Sequence, residues 1–452
     1  MRWFTAVVVF VVALIASTVW VGVAAQAPSA KLPLVYNSAP QYDADAWLRG
    51  GERFPSGAHL IVGSNAASRV LVTGFAATAD ANVSFDGTRI LFAGKHDASD
   101  HWDIWEVGAI GGEAKRITSC DSDCVAPFYL PGDRLVYASR LNGRFVLESA
   151  ALDGASPLQL TYSPGNALPT EVLRDGRVLF EAAYPMGSGT APEIYTVYSD
   201  GSGVEAYRCD HGTQRQAGRQ APSGDIVFAS AHGLGRFTSA LAHEVDLHAP
   251  AGEFAGDAVT TLSGNLVVAW RPDAKTHYSL QSWNPKTGSF EPLLAISDAD
   301  LVQPRLVESR HTPNQHPSGL HDWNYSNLLC LNAYTSKYAF APGTIAAMKL
   351  YTINAQGKPT LLGSSAVEAD GSFYIQVPSD KPLQIELLDR QGRTLKREQG
   401  WWWTRKGEQR ICVGCHAGPE HSPENAVPAV LLKTTKPVNM TSSTATLQKG
   451  GR

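Results

Sequence analysis

Asp86-Gly87-Thr88-Arg89-Ile90-Leu91-Phe92 is a short pattern in which a turn carrying glycine leads into an apolar strand. The pattern recurs along the chain, and equivalent apolar positions from Phe92 to Val268 lie 40 to 48 residues apart. A period in the forties with one strong apolar strand per repeat is typical of a β-propeller with one four-stranded blade per repeat. The other copies begin at Ser56-Gly57, Pro131-Gly132, Asp175-Gly176, Ser223-Gly224 and Ser263-Gly264. Six copies predict a six-bladed propeller over residues 40–305.

The spacing between the first copy and the second is shorter than the other spacings. Val62 and Phe92 are only 30 residues apart. We therefore expect the first blade either to be short or to be completed by a strand from elsewhere in the chain. Aspartates recur at equivalent turns, and a turn role explains them better than catalysis does.

The region after the repeats divides into three parts. Residues 306–325 form a connector in which Pro313, Pro317 and Gly319 disfavour a regular helix or strand. Residues 326–435 alternate apolar and polar side chains again and predict a small antiparallel β-sandwich-like domain. Its expected core face is Phe373, Ile375, Val377, Leu383, Ile385 and Leu387. Residues 436–452 are mostly small and polar and predict a disordered tail. The fold class is thus all-β.

Cys412-Val413-Gly414-Cys415-His416 is the stretch that carries chemistry. Two thiols with two residues between them, followed at once by His, are typical of a c-type haem attachment site. The sulfurs bind the two vinyl groups of one porphyrin, and His416 then ligates the iron. A zinc half-site would need a second Cys/His pair nearby, and a thioredoxin-like site would need a strand–helix context. The motif therefore predicts one covalent haem c.

The N-terminus favours export. Arg2 precedes an unbroken apolar run, and Ala25-Gln26-Ala27 is a small-x-small cleavage site, so residues 1–27 predict a signal peptide. The apolar run at Val19–Ala25 leaves an uncleaved membrane anchor open. Covalent haem attachment of this kind takes place outside the cytoplasm, so we expect a periplasmic or otherwise extracytoplasmic protein. A net charge of −4 with 18% charged residues provides no basic field for nucleic acid.

The remaining four cysteines leave alternatives open. Cys120 and Cys124 lie in one polar loop and could pair in an oxidising compartment. Cys209 and Cys330 could bridge two domains or stay as buried free thiols, and the sequence does not decide between these. Cys209-Asp210-His211-Gly212 and His243-Glu244 lack partners at known metal-binding spacing, so we expect no metal site in the propeller.

The second axial ligand of the iron has several candidates. His316 lies in the connector, close in sequence to the β-domain, and is our first choice as a metal ligand beside His416. His311 and His321 flank it, and His421 lies only five residues beyond His416. Met440 is a further candidate; Met would raise the potential, whereas His would keep it low. An iron without a second ligand would favour catalysis over electron transfer.

The cofactor-binding residues also include neighbours of the motif. We expect Trp401, Trp402 and Trp403 to wall the porphyrin or to fill the domain interface, with an ordinary core role as the alternative. Arg410, and with it Arg405, could pair with haem propionates because guanidinium matches carboxylate bidentately.

Two segments carry a family resemblance. The "SFDGTRILFAG…DIWEV" run resembles the repeats of TolB-like, WD40-like propellers. The later pattern, "LLCLNAYTS…DGSFYIQVPSDKPLQIELLDRQGR…WWW…CVGCHAGPE", resembles the hydrazine synthase alpha-subunit-like family. The resemblance implies a propeller followed by a C-terminal haem domain. The chain contains one Cys-x-x-Cys-His, and we expect it to lack the family's N-terminal haem domain, so the resemblance does not imply hydrazine chemistry.

The sequence therefore predicts an exported monohaem c-type cytochrome that acts in electron transfer, with the propeller as a scaffold for a redox protein partner. No nucleophile-elbow, phosphate-loop or metalloprotease motif is present. The alternatives are a haem-dependent oxidoreductase with an open iron site between the domains, and an interaction scaffold with a structural haem.

Overall fold

The computed structural model describes residues 33–64, 67–183, 191–208, 211–238, 243–296, 298–415, 422 and 425–441. These residues form 33 β-strands and one five-residue helix, α1 (Ala429–Lys433), so the all-β prediction is confirmed. None of the helical structure in this part of the chain is long and apolar enough to cross a bilayer. The expected signal segment lies outside the described residues.

The strands up to Leu306 form six antiparallel sheets within the described residues. The first sheet contains β1 (Leu34–Ala39), β2 (His59–Ser64) and β3 (Ala67–Val70). The second contains β4 (Ala77–Val83), β5 (Arg89–Lys95), β6 (Asp103–Gly108) and β7 (Lys115–Arg116). The third contains β8 (Cys124–Leu130), β9 (Arg134–Leu141), β10 (Arg144–Ala151) and β11 (Leu158–Gln159).

The next three sheets follow the same up-and-down order. The fourth contains β12 (Asn166–Val172), β13 (Val178–Ala183), β14 (Pro192–Val197) and β15 (Glu205–Ala206). The fifth contains β16 (Arg215–Gln220), β17 (Ile226–Ser230), β18 (Gly233–Thr238) and β19 (His243–Asp246). The sixth contains β20 (Glu253–Phe254), β21 (Val259–Thr260), β22 (Leu266–Arg271), β23 (Ser279–Trp283) and β24 (Phe290–Leu294), and the last strand of this region is β25 (Asp300–Leu306).

The first sheet is completed from the far end of this region. β25 pairs antiparallel with β1, from Leu34 opposite Leu306 to Ala39 opposite Asp300, and the sheet order is β25-β1-β2-β3. This explains the short first step in the repeat. Five of the repeated apolar strands are second in their sheets, but the first copy forms β2, which is third. The second place belongs to β1, whose sequence lacks the glycine turn.

The segment between β1 and β2 is buried against several sheets. Trp47 and Phe54 are almost fully buried, and Trp47 makes edge contacts with Trp102. The Arg53 guanidinium donates to the Glu181 carboxylate at 3.2 Å, with both side chains buried. Because an unpaired buried charge costs several kcal/mol, this ion pair holds the segment firmly in place.

The β-domain consists of two four-stranded sheets. In chain order its strands are β26 (Tyr325–Cys330), β27 (Ala347–Ile353), β28 (Pro359–Ala366), β29 (Phe373–Pro378), β30 (Gln384–Leu388), β31 (Thr394–Arg397), β32 (Gln409–Cys412) and β33 (Val438–Asn439). One sheet has the order β28-β27-β30-β31 and is antiparallel. The other has the order β32-β26-β29-β33, and its two outer pairs are parallel. The prediction of a wholly antiparallel sandwich therefore holds for one sheet only.

The core of the β-domain agrees with the predicted face. All six expected residues, Phe373, Ile375, Val377, Leu383, Ile385 and Leu387, are buried. The predicted tail starts too early. β33 pairs with β29, and Met440 is fully buried in the same core, because an apolar side chain at this position can cover the open end of the sheet. Met440 is thus a core residue, and residues 442–452 lie outside the described part of the chain.

The connector between β25 and β26 lies along the turns of the repeat. Its backbone N–H groups donate to these turns: the Arg310 N–H donates to the Phe85 carbonyl at 2.8 Å, and the Asn314 N–H donates to the Arg174 carbonyl at 2.9 Å. A Cβ at Gly176 would lie 2.2 Å from the Asn314 oxygen. Glycine is therefore required at this turn both for its positive φ and for the close approach of the connector.

The cysteines outside the Cys-x-x-Cys-His segment are now partly assigned. Cys120 and Cys124 form a disulfide. Cys330 is a buried free thiol, and Cys209 lies outside the described residues.

Replacing Gly176 with alanine tests how closely the connector packs against this turn. Gly224 occupies an equivalent turn with φ of +96°, and a Cβ there meets no atom within 4 Å, so G224A is the matched control. An alanine at positive φ destabilises the folded chain by about 1–2 kcal/mol, and we expect the free energy of unfolding of G224A to fall by that amount. G176A should lower the free energy of unfolding by roughly 1–3 kcal/mol more than G224A does, because the connector must shift to make room for the Cβ. Urea unfolding measures both; equal losses would contradict this packing.

Removing the Cys120–Cys124 disulfide should lower the free energy of unfolding by about 2 kcal/mol, because the bond closes a short loop in the unfolded chain. We expect this loss for the C120S/C124S variant under oxidising conditions. Dithiothreitol should lower the free energy of unfolding of the wild-type chain to that of the variant, and it should not change the stability of the variant. A wild-type chain insensitive to dithiothreitol, or a variant as stable as the wild type, would contradict this expectation.

Candidate functional site

The two thiols of the Cys-x-x-Cys pair are positioned by the edge of the parallel sheet. β32 carries Cys412 and pairs with β26, and the Leu331 N–H donates to the Cys412 carbonyl at 2.9 Å. Cys415 forms an isolated parallel bridge with Ser336. A Cβ on Gly414 would lie 2.1 Å from the Thr335 carbonyl oxygen. Glycine between the two cysteines therefore lets the loop lie directly on its neighbour.

A third thiol lies beside the pair. The parallel register places Cys330 opposite Cys412, and Cys330 is almost fully buried. A hydrogen bond with Cys415 and burial together raise the pKa of the Cys330 thiol well above its ordinary value. Burial also raises the pKa of the Cys412 thiol. Both thiols are therefore in their neutral form at physiological pH. The sequence did not predict that Cys330 lies here, because nothing in the sequence of β26 indicates that β32 is its parallel partner.

Cys330, Cys412 and Cys415 all open on one cavity of about 360 Å³. The cavity lies between the β-domain and the fourth sheet of the repeat region. Its β-domain wall includes Leu328, Phe373, Ile385, Trp401, Trp402, Arg410 and Ile411. Its other wall includes Arg177, Tyr195, Val204, Glu205, Tyr207 and His211. The lining is mainly aromatic and aliphatic, with a few charged groups, as is usual for cofactor sites.

The three consecutive tryptophans have different positions. Trp401 and Trp402 line the cavity. Trp403 does not; its ring is fully buried in the repeat region near Phe180, and its indole N–H donates to the Gly201 carbonyl at 3.1 Å. Two rings thus face the cavity, where packing against a porphyrin stays a prediction, and the third fills the domain interface.

The two arginines near the motif also occupy different positions. The Arg410 guanidinium lies at the cavity, 5.8 Å from the centre of the Trp402 ring, and donates to the Val204 carbonyl across the interface. Arg405 is buried in the interface, where it contacts Asp380 at 3.2 Å and donates to the Tyr162 hydroxyl. Arg410 therefore places a positive group at the cavity, where the Glu408 carboxylate lies 3.6 Å from its guanidinium, whereas Arg405 fastens the two domains.

Glu398 provides a buried carboxyl in the cavity wall. It accepts hydrogen bonds from the Ile385 N–H at 2.6 Å and from the Trp402 indole N–H at 2.9 Å. Burial nevertheless raises the pKa of Glu398 above its ordinary value. This carboxylate orients the Trp402 ring, and sequence reasoning did not identify it.

A histidine from the repeat region reaches the same cavity. The Nδ1 of His211 lies 2.6 Å from the Glu193 carboxylate, which also accepts from the Gly212 N–H at 2.6 Å and the Tyr195 hydroxyl at 2.9 Å. Burial would raise the pKa of Glu193, but these hydrogen bonds, that of His211 first, hold it below its ordinary value. Glu193 is thus a fixed negative group that orients the His211 ring.

The predicted axial ligands lie in several places. His416 and His421 are outside the described residues. His316 is exposed and stacks on Tyr198 with ring centres 3.9 Å apart, and His321 stacks on Trp323 at 5.0 Å. His311 is exposed. Among the residues that the structure describes, no group of three or more Cys, His, Asp or Glu side chains is arranged to hold a metal ion.

The residues present fit a covalently bound porphyrin. Cys412 and Cys415 open on one cavity, whose volume lies in the range of about 300–1,000 Å³ that small-molecule and cofactor sites have. Trp401 and Trp402 offer flat apolar surface, and Arg410 offers a positive group for a carboxylate. The group would be held by the two cysteines and packed against these aromatic side chains.

Two comparisons of sequence point to one family. Residues 334–417 match the model of the "Hydrazine synthase alpha subunit middle domain". The hydrazine synthase subunit alpha of Kuenenia stuttgartiensis is 36% identical over 58 residues, which cover 13% of this chain and 7% of that protein. The matched segment contains Cys412, Cys415 and the three tryptophans.

Comparison of structures extends the likeness to the fold. The structure of Kuenenia stuttgartiensis hydrazine synthase is similar with a TM-score of 0.76 and 14% identity, over 89% of this chain and 72% of that one. TolB from Acinetobacter baumannii has a TM-score of 0.47 over 60% of this chain and 66% of that one, at 13% identity, and no conclusion rests on it. The family model, the sequence relative and the shared fold agree. This chain thus contains a segment similar to the hydrazine synthase alpha subunit middle domain, and its fold is similar to that of hydrazine synthase.

Proposed function

We propose that this chain is an extracytoplasmic c-type haem protein that transfers electrons, with one haem attached to Cys412 and Cys415 and ligated by His416. The observation that carries the proposal is that both cysteines open on one aromatic-lined cavity between two domains. When bound, the haem would supply a reversible one-electron centre. The chain itself would hold that centre rigidly and limit the access of water to it.

Individual side chains have specific roles in this proposal. Trp401 and Trp402 pack against the porphyrin, and Glu398 keeps the Trp402 ring in position through its 2.9 Å hydrogen bond. Arg410 pairs with a propionate. The Val204 carbonyl, which accepts from Arg410, keeps that guanidinium at the cavity. His316 remains a predicted second ligand whose role the spectra of a variant can decide.

The six sheets of the repeat region are, in this proposal, the six blades of a propeller, and their surface receives a redox protein partner. The pairing of β25 with β1 ties the end of the repeat region to its first sheet, which suits a rigid docking scaffold. The Cys120–Cys124 disulfide supports an oxidising, extracytoplasmic location.

Hydrazine synthesis is not part of the proposal. It is named for the Kuenenia stuttgartiensis protein, of which the sequence match covers 7%. The segment of this chain that matches the family model, residues 334–417, contains the Cys-x-x-Cys pair on which the proposed haem attachment depends.

Covalent haem is the first test. The full chain is produced with a haem-c maturation system and examined by haem staining of a denaturing gel and by intact mass. We expect one haem on the wild-type chain and none on C412A/C415A, because no thioether can then form. C330A is the matched control, since Cys330 is a third thiol at the same cavity; it should keep its haem. A wild-type chain without covalent haem, or a haem that survives in C412A/C415A, would refute the proposal.

A haem-dependent oxidoreductase is the second candidate, and the buried Glu398 carboxyl in the cavity wall favours it, because a carboxyl there could exchange protons with a bound substrate. The spectrum of the haem separates the two. Electron transfer predicts a low-spin, six-coordinate ferric haem whose spectrum cyanide and carbon monoxide do not change. A high-spin, five-coordinate haem that binds carbon monoxide when reduced would favour the oxidoreductase and count against a simple carrier.

A further inference from the structure

We propose that Cys330 and Cys415 form a disulfide bond in the haem-free chain, and that this bond withholds Cys415 from haem until it is reduced. Three thiols open on the cavity, and the proposed function uses only Cys412 and Cys415. Formation of the bond itself requires no haem. Its effect on haem attachment rests on the proposed function.

The side-chain contacts select Cys415 as the partner of Cys330. The Cys330 thiol forms a hydrogen bond with Cys415, so these two sulfur atoms are neighbours. Cys412 lies opposite Cys330 in the strand register, but its thiol accepts a hydrogen bond from the Arg410 guanidinium. The two cysteines of the Cys-x-x-Cys pair thus have different neighbours, and the sulfur beside Cys330 is that of Cys415.

The backbone holds the two cysteines close to each other. Cys415 forms a parallel bridge with Ser336, which lies in the segment that follows Cys330. A Cβ on Gly414 would lie 3.0 Å from the Asn332 carbonyl oxygen of that segment. A disulfide has an S–S distance of about 2.0 Å, so the two segments must lie close together before the bond can form. The packing of these segments meets that requirement.

The difference in exposure determines the order of the reaction. Cys330 is 1% exposed, whereas Cys415 is half-buried at the cavity, so an external oxidant can reach Cys415 but not Cys330. The oxidant is itself a disulfide, such as oxidised glutathione. The Cys415 thiolate attacks it, forms a mixed disulfide and releases one thiol; the Cys330 sulfur then attacks the Cys415 sulfur and releases the second. The two protein thiols are thereby oxidised, and their two protons pass to the two released thiols.

The chemistry of the chain favours this bond. Cys120 and Cys124 already form a disulfide, which persists in an oxidising compartment. The hydrogen bond with Cys415, together with burial, raises the pKa of the Cys330 thiol, so Cys330 reacts with the adjacent sulfur rather than with dissolved reagents. A thioether to haem needs the same Cys415 sulfur. Reduction of the bond must therefore precede haem attachment.

The test maps the disulfides of the full chain produced without a haem-maturation system. The chain is oxidised with glutathione disulfide, its remaining thiols are blocked with N-ethylmaleimide, and its peptides are examined by mass spectrometry without reduction. We expect a Cys330–Cys415 link beside the Cys120–Cys124 link. C412A is the matched control, because it removes the third thiol of the cavity, and it should keep the Cys330–Cys415 link.

Dithiothreitol separates the haem-free chain from the haem-loaded one. In the haem-free chain it should lower the free energy of unfolding of C120S/C124S, because it reduces the Cys330–Cys415 link. In the haem-loaded chain the thioether holds Cys415 and Cys330 is a free thiol, so the stability of the same variant should not change. The dithiothreitol-insensitive state of this variant is therefore the haem-loaded one. Urea unfolding measures both states.

The outcomes distinguish this inference from the proposed function. A wild-type chain in which Cys330 is alkylated or linked to Cys412, or in which Cys412 is linked to Cys415, would overturn the inference and leave haem attachment intact. Loss of the Cys330–Cys415 link in C412A would overturn it as well. If the link forms but the wild-type chain gains no covalent haem in a maturation system, the proposed function fails and the disulfide stands.

Discussion

The insertion of Trp403 and Arg405 into the repeat region is the contact on which the functional site depends. Trp403 is fully buried near Phe180, and its indole N–H donates to the Gly201 carbonyl; Arg405 fastens the same segment to Tyr162 and Asp380. Burying a tryptophan in this way contributes roughly 2–3 kcal/mol. Because Trp401 and Trp402 directly precede the anchor, and β32 directly follows it, the anchor determines where the cavity walls and the two thiols lie. A cavity between two domains keeps its shape only if such a contact prevents them from sliding.

The repeat was predictable because each strand pattern is local. Five glycine turns lead into strands that are second in their sheets, as the spacing indicates. The sixth, Ser56 to Val62, leads into the third strand of its sheet, since β1 and β25 take the inner places. Pairing between residues about 270 positions apart, such as Leu34 with Leu306, leaves no mark in either segment. For the same reason the parallel pairs of the β-domain were not expected.

The candidate site was predictable only where its residues lie together in the sequence. Cys412, Cys415 and the neighbouring tryptophans form one segment, and two of those tryptophans do face the cavity. Cys330, Glu398 and His211 reach it through tertiary packing. His211 and its hydrogen-bond partner Glu193 are 18 residues apart, and neither segment indicates that the ring reaches the cavity.

A crystal structure of the full chain, produced with haem attached, tests this account most directly. We predict a porphyrin bonded to Cys412 and Cys415 in the interface cavity, packed against Trp402. A porphyrin outside the cavity, with Trp402 still in contact only with protein, would contradict this prediction.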